Sequence, residues 1–134
     1  MEIKIGFKGG RKVTAEIGGH QILTDQPVKD GGEDAAPSPY ALFLGALSTC
    51  GSYFVLDFCL ARGIDPSSLD IKMNAEWTKE MKEKGEPPKF DFSIEAGASF
   101  DEKYLPALER AVAQCAVKKA IEARPVFTVK AKKA

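Results

Sequence analysis

The chain has no excess of charge of either sign, because its 134 residues include 19 lysines and arginines and 19 aspartates and glutamates. A balanced surface does not attract polyanions, so the composition argues against a nucleic-acid partner and an electrostatic membrane anchor. The 44% hydrophobic and 28% charged residues are typical of a globular protein. At this length we expect one domain, residues 1–134, with a real hydrophobic core.

Several motifs with known chemistry are also missing. The chain has no phosphate-binding glycine loop, no dinucleotide-binding glycine motif and no serine nucleophile elbow. The only histidine, His20, leaves few options for general-base catalysis and is more readily explained by a local hydrogen bond at a strand end. No two of the three cysteines have the two-to-four-residue spacing of structural zinc sites. We therefore expect no metal and no other cofactor.

The cysteine count and the N-terminal sequence both point to a reducing compartment. Three cysteines cannot form a fully paired disulfide framework. The first ten residues, MEIKIGFKGG, carry charges at every second or third position and no apolar block, which is not the pattern of a secretory signal. We expect a cytoplasmic protein, where thiols stay reduced.

Alternating apolar and polar residues predict most of the secondary structure as strands. Residues 2–17 alternate around the Gly9-Gly10 pair and predict a hairpin, and residues 20–25 predict a third strand. Residues 27–39 contain three prolines and predict a loop. Further strands are expected at the following ranges: 68–81, 89–100 and 125–131.

Between these strands lies one long apolar helix, predicted for residues 39–62. Ser38 is a suitable N-cap, Pro39 a suitable first helical residue, and Gly63 a natural end. The helix nearly meets the length of a membrane span, but Asp57 and the small polar residues near its centre argue against one. Because the helix is apolar all round, we expect its own fold and a second subunit to bury it together.

A second helix is predicted for residues 101–123, because its apolar residues recur at steps of three and four. Asp101 is a possible cap, and Pro106 indicates a break or a late start near that position. The two helices together with the strands define an α+β fold. They also carry the three cysteines: Cys50 and Cys59 on the first helix and Cys115 on the second.

Spacing alone leaves the role of these cysteines open. Small residues flank Cys50 and leave room for a reactant, whereas Cys59 lies among large apolar residues and has the character of a core side chain. Free cysteines are among the most buried residues in proteins. Three inert core cysteines are therefore at least as probable from the pattern as a catalytic pair.

The segment SPYALFLGALSTC, the long helix, the strand pair after it and the segment CAVKKAI together resemble the OsmC/Ohr superfamily, that is, osmotically inducible protein C and organic hydroperoxide resistance protein. The similarity covers nearly the whole chain and is strongest to the OsmC-like branch. It implies antiparallel sheets wrapped around a long buried central helix, in an intertwined homodimer.

The resemblance also implies a chemistry, namely thiol-dependent reduction of organic hydroperoxides in oxidative-stress defence, with a dithiol as reductant. Cys50 matches the family's peroxidatic cysteine and Cys115 its resolving cysteine. Arg11, after the glycine pair, is the candidate for the arginine that stabilises the thiolate. Cys59 has no counterpart in the family.

Two positions depart from the family pattern. Tyr40 stands where the family has a glutamate that holds the arginine, with Glu33 or Asp34 as possible substitutes. Ala116 stands where the family has a proline after the second cysteine. The loss of the glutamate keeps an alternative open, in which the chain is a non-peroxidatic relative that binds a small apolar or thiol-reactive molecule in the same pocket.

Overall fold

The computed structural model describes residues 1–134, which divide into two compact units, residues 1–45 and residues 46–134. The long helix α1, Pro39–Ala61, belongs to both units because it crosses the boundary after Gly45. Each unit is described below by itself. The prediction of a single domain over residues 1–134 stays a prediction.

Pairs of glycines shape the turns of the sheet in the first unit. Strands β1 (Lys4–Phe7), β2 (Val13–Ile17) and β3 (His20–Thr24) pair antiparallel in that order. Gly9 and Gly10 have φ values of 85° and 56°, which lie in the left-handed region that glycine enters at little cost. This confirms the predicted hairpin and the third strand.

Helix α1 begins and ends at the predicted signals. The side-chain oxygen of Ser38 accepts the N–H of Ala41 at 3.2 Å, so Ser38 is the N-cap. Gly63 has a φ of 65°, and the N–H of Ile64 returns to the carbonyl of Cys59 at 3.0 Å. Helices commonly end in this way, with a left-handed glycine just beyond the last turn.

One face of α1 packs into the core of the second unit. Its buried residues, spaced four apart, are Leu47, Gly51, Val55 and Cys59. Val55 joins Leu108 and Val112 in the main hydrophobic cluster. By length and composition α1 could cross a membrane, but the packing of this face against its own unit favours a core helix.

The two-stranded sheet of the second unit consists of β4 (Leu69–Glu76) and β5 (Lys89–Ala96), paired antiparallel as predicted. Both strands are shorter than the sequence pattern suggests, because strands were predicted for residues 68–81 and 89–100. A short helix, α2 (Lys79–Glu83), begins after Thr78, whose hydroxyl accepts the N–H of Met81 at 3.2 Å. The capping threonine therefore ends the extended stretch that was predicted to reach residue 81.

The predicted helix 101–123 is interrupted, which corrects the sequence-based boundary. A single 3₁₀ turn, Glu102–Tyr104, leads into α3 (Leu105–Val112), and α4 (Ala116–Glu122) follows after a three-residue gap. Asp101 caps the first turn by accepting the N–H of Lys103 at 3.1 Å. The gap ends at Cys115, which is the N-cap of α4 rather than a residue inside a continuous helix.

The predicted strand at residues 125–131 is wrong for the isolated chain. No strand pairs with this segment, and the apolar side chains of Val126, Phe127 and Val129 are almost fully exposed. A strand needs a hydrogen-bonding partner, and the alternating pattern of this segment has none.

Candidate functional site

Cys50 and Cys115, which are 65 residues apart in the sequence, lie side by side in the second unit. Cys50 is on α1, and Cys115 is at the start of α4. Each thiol shifts the pKa of the other, so the two sulfurs are near neighbours. Cys115 is buried and Cys50 is partly exposed, so only Cys50 is open to a reactant from solvent.

The gap between α3 and α4 brings Cys115 to this position. Its sulfur accepts the N–H of Lys118 at 3.3 Å, as an N-cap side chain does. Its thiol also approaches the carbonyl oxygen of Leu47 on α1, with 3.9 Å between sulfur and oxygen. These two contacts fix the buried sulfur between the helices.

The surroundings shift the two thiol pKa values in opposite directions. The N–H of Val117 lowers the pKa of Cys50 most, followed by the thiol of Cys115 and the N–H of Ala116. Burial raises the pKa of Cys115. Amide hydrogens at a helix start stabilise an anion, and an apolar interior disfavours one. Cys50 is therefore the cysteine of the pair that ionises more readily, and Cys115 is the one that more readily stays protonated.

The third cysteine, Cys59, is not part of this site. It lies nine residues beyond Cys50 on α1, and its side chain is completely buried. Burial raises the pKa of its thiol, and the nearby Arg62 offsets only part of the rise. This environment agrees with the expectation that Cys59 is a core residue.

An apolar cavity of about 380 Å³ opens beside the buried sulfur. Leu47 and Lys118, which both contact Cys115, line it. Phe92 from β5 and Val112 from α3 supply apolar walls. No cluster of three or more potential metal ligands occurs in the structure. The arrangement therefore provides two thiols and an apolar binding space.

Arg11 lies in the first unit, just after the Gly9-Gly10 turn. Its guanidinium lies over the backbone of Gly31, where a methyl group on residue 31 would be only 3.4 Å from Nε. Arg11 also lines a cavity of about 450 Å³ together with Gln26 and Asp30. No carboxylate pairs with it, so the expected role of Arg11 at the thiols stays a prediction.

The loop next to Arg11 is held in place by Asp25, whose side chain is buried. The Asp25 carboxylate accepts the N–H groups of Gln26 at 2.8 Å and of Glu33 and Ala35 at 3.1 Å each. The N–H groups of Ala35 and Gln26 are the main reason that the pKa of this carboxyl is lowered. The loop around Gly31 is therefore anchored by an ionised aspartate.

The two proposed substitutes for the missing family glutamate form no ion pair with Arg11. Glu33 pairs with Lys12 instead. Asp34 has a φ of 55° and forms no ion pair. Tyr40 itself stacks on Phe43, with 5.7 Å between the ring centres.

The backbone amides of Ala116 and Val117 are the part of the site that the sequence did not indicate. Amide groups leave no trace in the residue types. The one available signal was the replacement of the family proline by Ala116, since proline has no N–H and alanine has one. The departure from the family pattern thus adds a donor next to Cys50.

A protein with a long apolar helix, antiparallel strands on either side of it in the sequence and a pair of neighbouring cysteines fits the class of small α+β thiol proteins. A family model for OsmC-like proteins matches residues 31–130, and the chain belongs to this family. No curated protein matches the chain. The fold class expected from the sequence is therefore confirmed.

Solved structures share the fold at low sequence identity. An OsmC-like protein from Mycoplasma pneumoniae is 14% identical with a TM-score of 0.69, covering 92% of this chain and 87% of that one. A candidate osmotic stress induced and detoxification response protein from Psychrobacter arcticus is 20% identical, with a TM-score of 0.67 and coverages of 88% and 85%. An organic hydroperoxide resistance protein OsmC from Legionella pneumophila is 19% identical, with a TM-score of 0.53 and coverages of 90% and 89%.

Proposed function

We propose that the protein reduces organic hydroperoxides through Cys50 and Cys115. The observation that carries this proposal is the proximity of two thiols whose pKa values are shifted in opposite directions. A partly exposed thiolate beside a buried thiol is the arrangement that attack followed by disulfide formation requires. The Legionella pneumophila relative, described as an organic hydroperoxide resistance protein, supports this substrate class.

The reaction has three balanced steps. The Cys50 thiolate attacks the outer oxygen of the hydroperoxide, the O–O bond breaks, and the departing alkoxide takes a proton to leave as an alcohol. Cys50 becomes a sulfenic acid. Cys115 then attacks the Cys50 sulfur, the proton of its thiol leaves with the sulfenic hydroxyl group as water, and a disulfide forms. An external dithiol returns two electrons and two protons and restores both thiols, which a reducing, cytoplasmic location would support.

Thiolate content alone cannot supply the rate. Lowering a thiol pKa from about 8.5 to about 7 raises the thiolate fraction at neutral pH about 15-fold, but the lower basicity reduces nucleophilicity about fivefold. Most of the acceleration must come from positioning and from a cation at the developing alkoxide. We assign that cation to Arg11 as part of the proposal.

The direct test is hydroperoxide consumption with a dithiol reductant. Wild type should turn over a bulky organic hydroperoxide, Cys50→Ser should fall to the uncatalysed rate, and Cys59→Ala should stay close to wild type. Equal rates for wild type and Cys50→Ser would exclude the proposal. Cys59→Ala is the control, because it removes the other cysteine of α1. A loss of activity in Cys50→Ser alone shows that the nucleophile itself, and not just any cysteine on this helix, is required.

Binding without reaction is the second candidate function, and Tyr40 is the observation that favours it. The family glutamate is absent there, and Arg11 forms no ion pair in the structure. The apolar cavity beside Cys115 would then be a site for a small molecule rather than for a substrate. Retained ligand binding in a protein that consumes no hydroperoxide would establish this alternative.

We also propose a homodimer, in agreement with the all-round apolar character of α1. Tyr53, Leu56 and Leu60 are 57%, 39% and 64% exposed and recur at steps of three and four, the spacing at which a helix presents a stripe to a partner helix. A second copy of the chain would cover this stripe. Light scattering should show a dimer at micromolar concentration, and a stable folded monomer there would contradict the proposal.

A further inference from the structure

We propose that Asp25 is a positioning residue for Arg11, because it fixes the loop of residues 26–37 in the shape on which the Arg11 guanidinium rests. The effect on the reaction depends on the proposed function, in which Arg11 is the cation at the hydroperoxide. The support of Arg11 by the loop is a property of the first unit alone. It can be measured without any reaction.

Asp25 holds this loop at both of its ends. Its side chain is buried, and the carboxylate accepts the N–H of Gln26 at 2.8 Å and the N–H groups of Glu33 and Ala35 at 3.1 Å each. The backbone N–H of Asp25 donates to the carbonyl of Pro37 at 3.3 Å. Hydrogen bonds to an ionised acceptor are about twice as strong as neutral ones. Removing this one charge therefore weakens three links of the loop at once.

The backbone of the loop is packed closely on itself. The N–H of Gly32 donates to the carbonyl of Pro27 at 3.1 Å, and the N–H of Asp34 donates to the carbonyl of Gln26 at 3.1 Å. A methyl group on Gly32 would collide with that carbonyl of Gln26. Gly31 has a φ of 84°, a conformation that other residues adopt at a cost. The loop therefore has one compact shape.

Arg11 lies against this loop and not against a carboxylate. A methyl group on Gly31 would be 3.4 Å from Nε and 3.6 Å from Nη2 of Arg11, so the guanidinium packs over the backbone at this glycine. The next residue, Lys12, pairs with Glu33 of the same loop. Every hydrogen bond of the Asp25 carboxylate goes to backbone N–H groups of the loop. Asp25 therefore acts on Arg11 through the loop.

Two reaction rates at Cys50 separate positioning from a general loss of structure. Hydroperoxide reduction requires the cation, whereas alkylation by iodoacetamide requires only the thiolate, whose pKa is lowered by groups of the second unit. Asp25→Asn should slow reduction of a bulky organic hydroperoxide about tenfold, because the long arginine side chain is then less ordered. It should leave alkylation at pH 7 unchanged. Gly32→Ala displaces the loop but keeps Asp25, and it should give the same pattern.

Asp34→Asn is the matched control, because it removes an exposed carboxylate from the same loop. It should leave both rates unchanged. In a protein that already carries Arg11→Ala, Asp25→Asn should cause no further loss, since two residues that act through one path are not additive. Nitrogen-15 relaxation at Nε of Arg11 should show a lower order parameter in Asp25→Asn than in wild type or in Asp34→Asn.

Three results would overturn the inference. The Arg11 order parameter could be the same in wild type and Asp25→Asn, reduction and alkylation could fall in parallel, or the loss could be equally large without Arg11. If Asp25→Asn does not fold, Gly32→Ala decides by the same measurements. A wild-type protein that reduces no hydroperoxide would exclude the proposed function instead, and the order parameter would still decide whether Asp25 holds Arg11.

Discussion

Helix α1 carries two cysteines in opposite environments. Cys50 is partly exposed and faces the amides of Ala116 and Val117, which lower the pKa of its thiol, whereas burial raises the pKa of Cys59. The two side chains are chemically identical and share one helix. Their contrast shows that the neighbouring chain segment, and not the helix that carries the residue, determines which thiol can react.

Oxidation should show the largest difference between Cys50 and Cys59. Mild treatment with an organic hydroperoxide should link Cys50 to Cys115 and leave Cys59 reduced, because only the first two thiols are close enough to shift each other's pKa. Peptide mapping of the oxidised protein by mass spectrometry checks this. A Cys50–Cys59 bridge, or three free thiols after turnover, would contradict the assignment.

Alkylation should separate the same two residues by rate. At pH 7 in the folded protein, iodoacetamide should modify Cys50 at least about 100-fold faster than Cys59, which reacts only when the core opens. Site-resolved mass spectrometry over time measures both rates. In denaturant the two rates should converge. Persistence of the difference there would show that the fold is not its cause.

Tyr40→Glu should increase the difference in reactivity between Cys50 and Cys59, because it should raise the reaction rate of Cys50 and leave that of Cys59 unchanged. A glutamate at residue 40 would pair with Arg11 and order its long side chain, and we expect a gain of about tenfold in hydroperoxide reduction, which corresponds to about 1.4 kcal/mol. The second-order rate constant with a bulky organic hydroperoxide is the measurement. If this variant and Arg11→Ala both match wild type, Arg11 is not the cation, and the binding function becomes the better proposal.

Ala116→Pro should modestly reduce the difference in reactivity between Cys50 and Cys59. Proline is tolerated at the first position of a helix, but it removes one N–H that lowers the pKa of Cys50. The pKa of Cys50 should rise, so its alkylation at pH 7 should slow by about twofold to fivefold. The pH profile of alkylation should move to higher pH by the same effect. Ala116→Gly keeps the N–H and should leave the profile in place.

Local signals explain what the sequence could predict of the fold. The Gly9-Gly10 turn and the ends of α1 at Ser38 and Gly63 are formed by nearby residues, so their positions were predictable. No glycine or proline at residues 113–115 signals the interruption between α3 and α4. It coincides with contacts to Leu47, 68 residues earlier. The C-terminal segment has the pattern of a strand but no partner within the chain.

The candidate site was predictable only in part, and for a similar reason. Spacing could not distinguish Cys50 and Cys115 from inert core thiols, and the resemblance to the OsmC/Ohr superfamily named them. The structure adds their proximity and the amides of Ala116 and Val117. The position of these backbone donors depends on where α4 starts relative to Cys50. The residue types at positions 116 and 117 do not specify that position.

The capping role of Cys115 couples the redox state of the site to the local dynamics of α4. In the reduced protein the Cys115 sulfur accepts the N–H of Lys118, and a Cys50 thiolate lies against the first amides of the helix. A disulfide carries no charge and is a poorer acceptor, so oxidation would remove part of the stabilisation at the start of a seven-residue helix. The Lys118 amide should then exchange its hydrogen faster in the oxidised protein. Fraying of this turn would uncover the disulfide for the reductant, so that local unfolding of α4 would be a step of the proposed reaction cycle.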